Sequence, residues 1–465
     1  MKYILNPEFA LRGYENGKDL KVLNLNTLRR QPVSERMMAV LKECDGRTEF
    51  SILALLPSYG RILEQAQKNG WIRPAVESDV LSMRQGYRAF EATDYWNVQW
   101  SVTGNCNAKC RHCFVQESQR RHGDLSTNEM LSIIEQMGDR EVPMVALTGG
   151  EPLVRKDLPL LIREMRKRGI HVTQLYTNGF LLTDGILDLL EDERRMPDII
   201  ISFDGVGCHD WMRGVPGAEK MAIRAMELCQ RRNVPVILTM CLHKGNIGAI
   251  AKTVRLATQK GVRMLRLCIT DDINGFSEKN GIELLSFDDA AQTFLDYIPV
   301  FCRERPDIML EIARFIRIPG RTPENYTILP LEHNCTDLKK NIVCGNVRHD
   351  FYINSEGRVL PCMEVAGSPL EDECYKITEH GLEGALLSPA YAAFLHADAS
   401  ELLRENPQCA ECPHLPKCGC GCRGESLARR QGMYGIDPNK CAFFLHGWEE
   451  KLRRTMERCL DSDRP

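Results

Sequence analysis

The sequence predicts an α/β protein built around a βα barrel, and three observations carry that prediction. Six short apolar runs, Tyr95–Trp100, Met144–Leu147, Val172–Tyr176, Ile199–Phe203, Val236–Cys241 and Met264–Ile269, alternate with helical stretches, the pattern of parallel strands joined by crossover helices. The first run delivers the loop Ser101–Phe114, S-V-T-G-N-C-N-A-K-C-R-H-C-F, and polar or glycine motifs follow the next strand ends. Residues gathered at the carboxyl ends of parallel strands are where a barrel builds its site. Beyond residue 330 the cysteines return at ligand-like spacing, which predicts a separate metal-dependent region.

At 465 residues the chain has room for about three domains. Its 60 basic and 63 acidic side chains nearly cancel, which argues against a global nucleic-acid or membrane field. No apolar run approaches the ~20 residues that span a bilayer, and MKYILNPEFALRGYENG is charged too early for a signal peptide. A cytoplasmic protein is expected. Twenty cysteines in such a chain point to metal rather than to disulfides.

Residues 1–74 read as a small module. Phe9–Arg12 and Leu20–Leu25 form a hairpin around Glu15-Asn16-Gly17, and Ser34 caps an amphipathic helix carrying Met37, Met38, Val40 and Leu41. That helix stops at Cys44-Asp45-Gly46, and helical stretches follow around Ser51–Leu56 and Arg61–Asn69, a hairpin with a winged helix-turn-helix. Cys44 is expected in the core. Residues 75–94 form a connector, with a helix over Ser78–Glu91. The barrel occupies 95–320, with helices at Thr127–Gln136 behind the Ser126 cap, Leu158–Arg168 and Ala218–Arg231. A cysteine-rich domain covers 321–445, and 446–465 form a closing helix and tail, the helical pattern running from Phe443 to Arg458.

Cys106, Cys110 and Cys113 stand at C-x3-C-x2-C spacing on one short loop. Three thiolates so placed hold three irons of a four-iron cube and leave the fourth open. Zinc would want a fourth protein ligand and paired C-x2-C knuckles. His112 is expected to face solvent. The spacing resembles the signature of the radical S-adenosylmethionine (SAM) family. That resemblance implies a partial (βα)6 TIM-like barrel and a [4Fe-4S] cluster whose open iron chelates SAM. One electron then splits the sulfonium to give a 5′-deoxyadenosyl radical. The motifs after later strands resemble the family's SAM contacts: Gly149-Gly150-Glu151-Pro152, Thr177-Asn178-Gly179, Ser202-Phe203-Asp204-Gly205, and Arg213 in H-D-W-M-R-G. The resemblance implies a cofactor-binding set of Phe114, Gly149, Gly150, Glu151, Asn178, Ser202, Asp204 and Arg213. Glu151 would take the SAM amino group, Ser202 the ribose, Arg213 the carboxylate, and Phe114 would pack near the adenine.

Cys344, Gly357, Cys362, then Cys409, Cys412, Cys418 and Cys422, and finally Cys441 resemble the SPASM extension of this family. The resemblance implies two auxiliary [4Fe-4S] clusters, three in all. One would use Cys344, Cys362 and Cys422, with Cys335 as fourth ligand; the other Cys409, Cys412, Cys418 and Cys441. Cys420 is an extra thiol, a spare or a hydrogen donor. Cys208, Cys229, Cys241, Cys268, Cys302, Cys374 and Cys459 show no ligand spacing and read as buried thiols.

The module at 1–74, with its L-K-E-C-D-G-R-T, resembles the precursor-peptide recognition element of ribosomal peptide pathways, similar to the carrier protein of pyrroloquinoline quinone synthesis. It carries 12 Lys/Arg against 8 Asp/Glu, which suits an acidic leader. The resemblances together imply a maturase that binds a precursor peptide through its leader and takes electrons from an external donor. It would abstract hydrogen and cross-link oxidatively, a thioether first and a carbon–carbon or carbon–oxygen bond second. A peptide epimerase, a maturase of the sulfatase-activating kind and a tetrapyrrole side-chain enzyme share barrel and cysteines. A cluster-based regulator whose wing binds DNA is the non-enzyme alternative; the small charge excess argues against nucleic acid.

Overall fold

A computed structural model describes residues 1–50, 57–113, 124–191, 196–270, 276–332, 336–429 and 431–461. It divides into two compact units, Met1–Tyr95 and Trp96–Pro465. The expected helix at Ser51–Leu56 lies outside the described residues.

The first unit contains β1 (Lys2–Leu5), β2 (Phe9–Tyr14), β3 (Asp19–Asn24), β4 (Arg30–Pro32), α1 (Glu35–Lys42), β5 (Asp45–Glu49), α2 (Pro57–Lys68), β6 (Ile72–Pro74) and β7 (Arg88–Ala89). The strands form two sheets, β5-β1-β6 and β4-β3-β2-β7. The β2–β3 hairpin and the Ser34 cap stand where the sequence puts them, with Ser34 Oγ accepting from the Met37 N–H at 3.2 Å. Leu5, Leu11, Val22, Met38, Leu41, Cys44 and Phe50 share one core.

The helix expected over Ser78–Glu91 is absent. Arg12, wholly buried, donates from Nη1 to Gly86 O at 2.8 Å and from Nη2 to Arg84 O at 2.7 Å. Those carbonyls serve a side chain instead of a helical N–H, and the segment goes on to pair β7 in parallel with β2. Lys21 Nζ at 2.7 Å and Arg30 Nε at 2.9 Å then hold Asp94, so residues 75–94 belong to this unit.

The second unit is organised on an 11-stranded sheet. Its parallel run is β8 (Asn97–Ser101), β9 (Met144–Thr148), β10 (His171–Thr177), β11 (Asp198–Ser202), β12 (Val236–Leu242), β13 (Met264–Ile269) and β14 (Met309–Ile312). The helices between them include α3 (Thr127–Asp139), α4 (Leu158–Lys167), α5 (Asp184–Leu190), α6 (His209–Arg213), α7 (Ala218–Arg231) and α8 (Ile250–Gln259), and α9 (Phe287–Glu304) leads into β14. Ser126 begins α3 with a capping box to Glu129. All six strands read from the sequence are present. The sheet also gains β15 (Ile316–Pro319) and β16 (Thr327–Ile328) at one edge and β17 (Asp350–Ile353) and β18 (Val359–Leu360) at the other. β17 pairs in parallel with β8, so part of the cysteine-rich region extends the sheet beyond its first strand.

Alternation along the strands separates the two faces of this sheet. Leu238, Met240, Leu265 and Leu267 are buried, whereas Thr239, Cys241, Arg266 and Cys268 between them are half-buried. A parallel sheet covered on both faces would be apolar throughout. Here one face is packed and the other is a partly open, polar wall. The single closing helix expected over Phe443–Arg458 is instead two, Pro438–Leu445 and Trp448–Asp461, broken at Gly447 with φ of 69°. Among the described residues no helix is long and apolar enough to cross a membrane.

Candidate active site

The cysteine loop is held from both sides. At its start, Asp124 accepts from the Thr103 hydroxyl, from the Gly104 N–H at 2.7 Å and from Asn105 Nδ2 at 2.8 Å. From the β9 side, the Gly150 N–H donates to Thr103 O at 2.8 Å and the Glu151 N–H to Asn105 O at 2.9 Å. A Cβ on Gly149, whose φ is 152°, would lie 2.5 Å from Thr103 O, and one on Gly150 2.3 Å from Asn105 O. The glycines therefore admit the backbone of the cysteine loop.

Glu151 is buried. It accepts from Thr177 Oγ1 and from the Asn178 N–H, both at 2.7 Å, and from the Leu153 N–H at 3.2 Å. Burial outweighs these bonds and pushes the carboxyl up to about 7. Asn178 in turn donates from Nδ2 to Asn107 Oδ1 at 2.7 Å, so β10 also touches the cysteine loop.

The third support is α6. The Lys109 N–H donates to Arg213 O at 3.0 Å and the Arg111 N–H to Met212 O at 2.9 Å. Gly214, φ 64°, leaves room for this, since a Cβ there would lie 2.5 Å from Lys109 O. The Arg213 side chain is buried, with Nε 2.7 Å from the Asp204 carboxylate and Nη1 donating to Cys110 Sγ at 3.4 Å. Asp204 is wholly buried; burial would raise its carboxyl, but Arg213, His209 and His112 hold it well below the carboxylate range. Its N–H donates to His209 Nδ1 at 3.0 Å.

His112, expected to face solvent, is half-buried: burial pushes it down to about 4, and its ring lies within 4.8 Å of the Asp204 carboxylate and Cys241 Sγ. Cys241 and Cys268 stand opposite each other on β12 and β13, at the polar wall. Ser202 ends β11 on the same half-buried face, in register with Thr239. Phe114 lies outside the described residues.

The sequence reading missed Thr177, Asp124, His209 and His112. Asp124 carries no motif; His209 stood inside H-D-W-M-R-G, read for Arg213, and Thr177 inside a motif read for Asn178.

The later cysteines gather as two groups. Burial pushes Cys362 well up, and the charges that bear on it next are those of Cys422, Glu364 and Cys344. Cys441 feels Cys409 and Cys412, and Cys418 feels Cys441. Asp437 serves both groups: its Oδ2 accepts from the Cys422 N–H at 3.1 Å, and its Oδ1 accepts from Lys440 N–H at 3.0 Å, beside Cys441. Cys420, φ 58°, is buried against Cys409, and its carbonyl accepts from Arg423. It lies with the second group, where the charges of Cys409 and Cys418 reach it. Cys335 lies outside the described residues.

The donor chemistry of the first loop suits a cluster with one open iron. Burial pushes Cys106 up to about 11, and the charges of Cys110, Glu151 and Cys113 reach it. Buried thiols that resist ionisation become thiolates when a metal binds them. Glu151 and Arg213 flank the loop, and with Glu151 ionised the pair fits an amino acid's ammonium and carboxylate.

The chain is a radical SAM enzyme: the Radical SAM superfamily model matches residues 100–257, and the chain belongs to that superfamily, whose members carry a [4Fe-4S] cluster and SAM. It is 30% identical over 359 residues to the AdoMet-dependent heme synthase of Oleidesulfovibrio alaskensis, covering 73% of this chain and 86% of that one. Over 367 residues it is 24% identical to the PqqA peptide cyclase of Gluconobacter oxydans, covering 78% and 94%. Against three other curated relatives the match spans 56, 47 and 41% of their length, about half. The crystal structure of Streptococcus suis SuiB bound to S-adenosylmethionine shares the fold, with a TM-score of 0.62 at 14% identity over 94% of this chain and 99% of that one.

Proposed function

We propose that the protein modifies a ribosomally made precursor peptide by hydrogen abstraction followed by oxidative cross-linking, a thioether first and a carbon–carbon or carbon–oxygen bond second. The observation that carries this is the second field of cysteines, which separates into Cys344, Cys362 and Cys422 on one side and Cys409, Cys412, Cys418 and Cys441 on the other. Ring closure removes one electron and one proton from a substrate radical, and these thiols are suited to hold iron–sulfur acceptors, whose potentials span roughly −700 to +450 mV. With its cluster and SAM bound, the barrel site supplies the 5′-deoxyadenosyl radical by reductive cleavage.

The chain's own residues would do the rest. Glu151 accepts the ammonium of SAM once it has lost its proton, and Arg213, held in place by Asp204, meets the carboxylate. Ser202 offers a hydroxyl to the ribose. The polar wall of Thr239, Arg266 and Cys268 gives a hydrated surface for a peptide. Residues 1–74 would bind the leader as an added strand and so raise the local concentration of the core peptide. The winged arrangement and the leader belong to this proposal, as does the external electron donor. Two similarities support a peptide: the PqqA peptide cyclase in sequence, and SuiB in fold, whose structure with its precursor peptide SuiA also matches with a TM-score of 0.62.

A second reading, hydrogen return without net oxidation, is favoured by Cys241 and Cys268 standing side by side, in register, at the wall. Release of 5′-deoxyadenosine tests the substrate class. The reconstituted protein with SAM and dithionite should release it several-fold faster with the short peptide encoded beside this gene than without. Stimulation by an iron coproporphyrin instead would move the assignment to the tetrapyrrole chemistry that the heme synthase relative is named for.

A further inference from the structure

One charged residue of the barrel sheet leaves its own sheet. Arg314 sits in the turn between β14 and β15 with φ of 61°, a left-handed conformation that side-chain-bearing residues avoid. The turn sends its guanidinium to the cysteine-rich region. Nη1 pairs with the buried carboxylate of Glu425, and Nη2 lies 4.0 Å from Glu364. Glu364 is two residues past Cys362, and Glu425 three past Cys422. Gly424 keeps the two segments together, because a Cβ there would lie 2.4 Å from Glu364 Cβ and 3.5 Å from Cys362 Sγ. Glu425 Oε1 also accepts from Arg429 Nε at 2.8 Å and from Asn439 Nδ2 at 3.1 Å, so the carboxylate keeps two partners without Arg314. The charges of Arg314 and Glu364 also reach Cys268 on the polar wall.

We propose that Arg314 is a positioning residue that sets the reduction potential of the auxiliary cluster held by Cys344, Cys362 and Cys422, and that it does so from the seam between that cluster and the barrel wall. The proposal rests on the reading of those cysteines as cluster ligands. Reduction adds negative charge to a cluster, and a fixed cation beside its thiolates favours that change. Arg314 thus makes this cluster the better electron acceptor. Glu364, with its carboxylate on the other side of the guanidinium, works in the opposite sense.

The test is a redox titration of the reconstituted full chain followed by electron paramagnetic resonance, with iron quantified in each sample. Arg314→Gln should shift one midpoint to more negative potential by about a tenfold change in the reduced-to-oxidised ratio, which is ~59 mV for one electron. Arg314→Lys should restore most of the shift, Glu364→Gln should move the same midpoint positive, and Arg321→Gln on the exposed end of the hairpin should move nothing. Unchanged midpoints in Arg314→Gln and Glu364→Gln, with iron for all clusters present, overturn the proposal alone. Loss of the cluster from both Arg314→Gln and Arg314→Lys makes the residue a packing element and also overturns it. Iron for a single cluster in the unaltered protein overturns the ligand reading and this proposal together.

Discussion

Arg213 lies with Nε 2.7 Å from the Asp204 carboxylate and donates from Nη1 to Cys110 Sγ at 3.4 Å. One buried guanidinium thus joins the end of β11 to the cysteine loop, and α6 that carries it is bonded to that loop by two backbone N–H groups. Asp204→Asn leaves this cation without its buried counter-charge. Breaking a buried pair in this way costs about 3–5 kcal/mol. The variant should unfold at markedly lower denaturant concentration, and its SAM affinity should fall at least tenfold by equilibrium dialysis. Unaltered stability would mean that Arg213 is solvated in the metal-free protein.

Glu151 supplies a pH dependence. Its folded value, about 7, lies above the ordinary 4.5, so the folded state keeps a proton that the unfolded state gives up as pH rises through that window. Stability contributed by this proton is fully present below about pH 4.5 and is lost as pH climbs through about 7, by roughly 3 kcal/mol for a shift of this size. Urea unfolding of the metal-free protein should therefore show this loss between about pH 4.5 and about pH 7.5, and Glu151→Gln should flatten it. SAM affinity should rise over the same window, because the ammonium needs the carboxylate.

Gly214→Ala tests the fit between α6 and the cysteine loop. The new methyl would meet Lys109 O at 2.5 Å, and backbone on both sides leaves no flexible atom to yield. The left-handed φ adds about 1–2 kcal/mol. Iron bound at the first loop should fall, seen as reduced iron content and weaker charge-transfer absorbance, while the later cysteine groups keep theirs.

Much of the frame was legible because the signals were local. Six apolar strands, the Ser34 and Ser126 caps and the cysteine spacings each sit within a few residues. What escaped depends on partners far away in the chain. The polar strand Asp45–Glu49 exists because β1 pairs with it, and Ser78–Glu91 is not helical because Arg12 takes its carbonyls. In the site, Glu151 and Arg213 were readable as charged residues in motifs, but Thr177, Asp204 as Arg213's partner, and the inward turn of His112 were set by neighbouring strands. The glycines of G-G-E-P were read only as part of a SAM-binding motif, because their approach to Thr103 and Asn105 depends on backbone far away in the chain.

The two later cysteine groups should empty independently. Replacing Cys344 and Cys362 by Ala should lower total iron from about twelve to about eight per chain, and replacing Cys409 and Cys412 should do the same, with the first loop intact in both cases. Collapse of all iron in either variant would mean that the groups are not separate sites.

The most direct test of the central claim is the mass of the short peptide encoded beside this gene after anaerobic incubation with the reconstituted protein, SAM and dithionite. Loss of a pair of hydrogens per event, abolished when Cys106, Cys110 and Cys113 are changed to Ala, is the predicted result. An unchanged mass in water, with deuterium gained in heavy water, would replace cross-linking by inversion. A peptide that stays unaltered while 5′-deoxyadenosine is released would contradict the account.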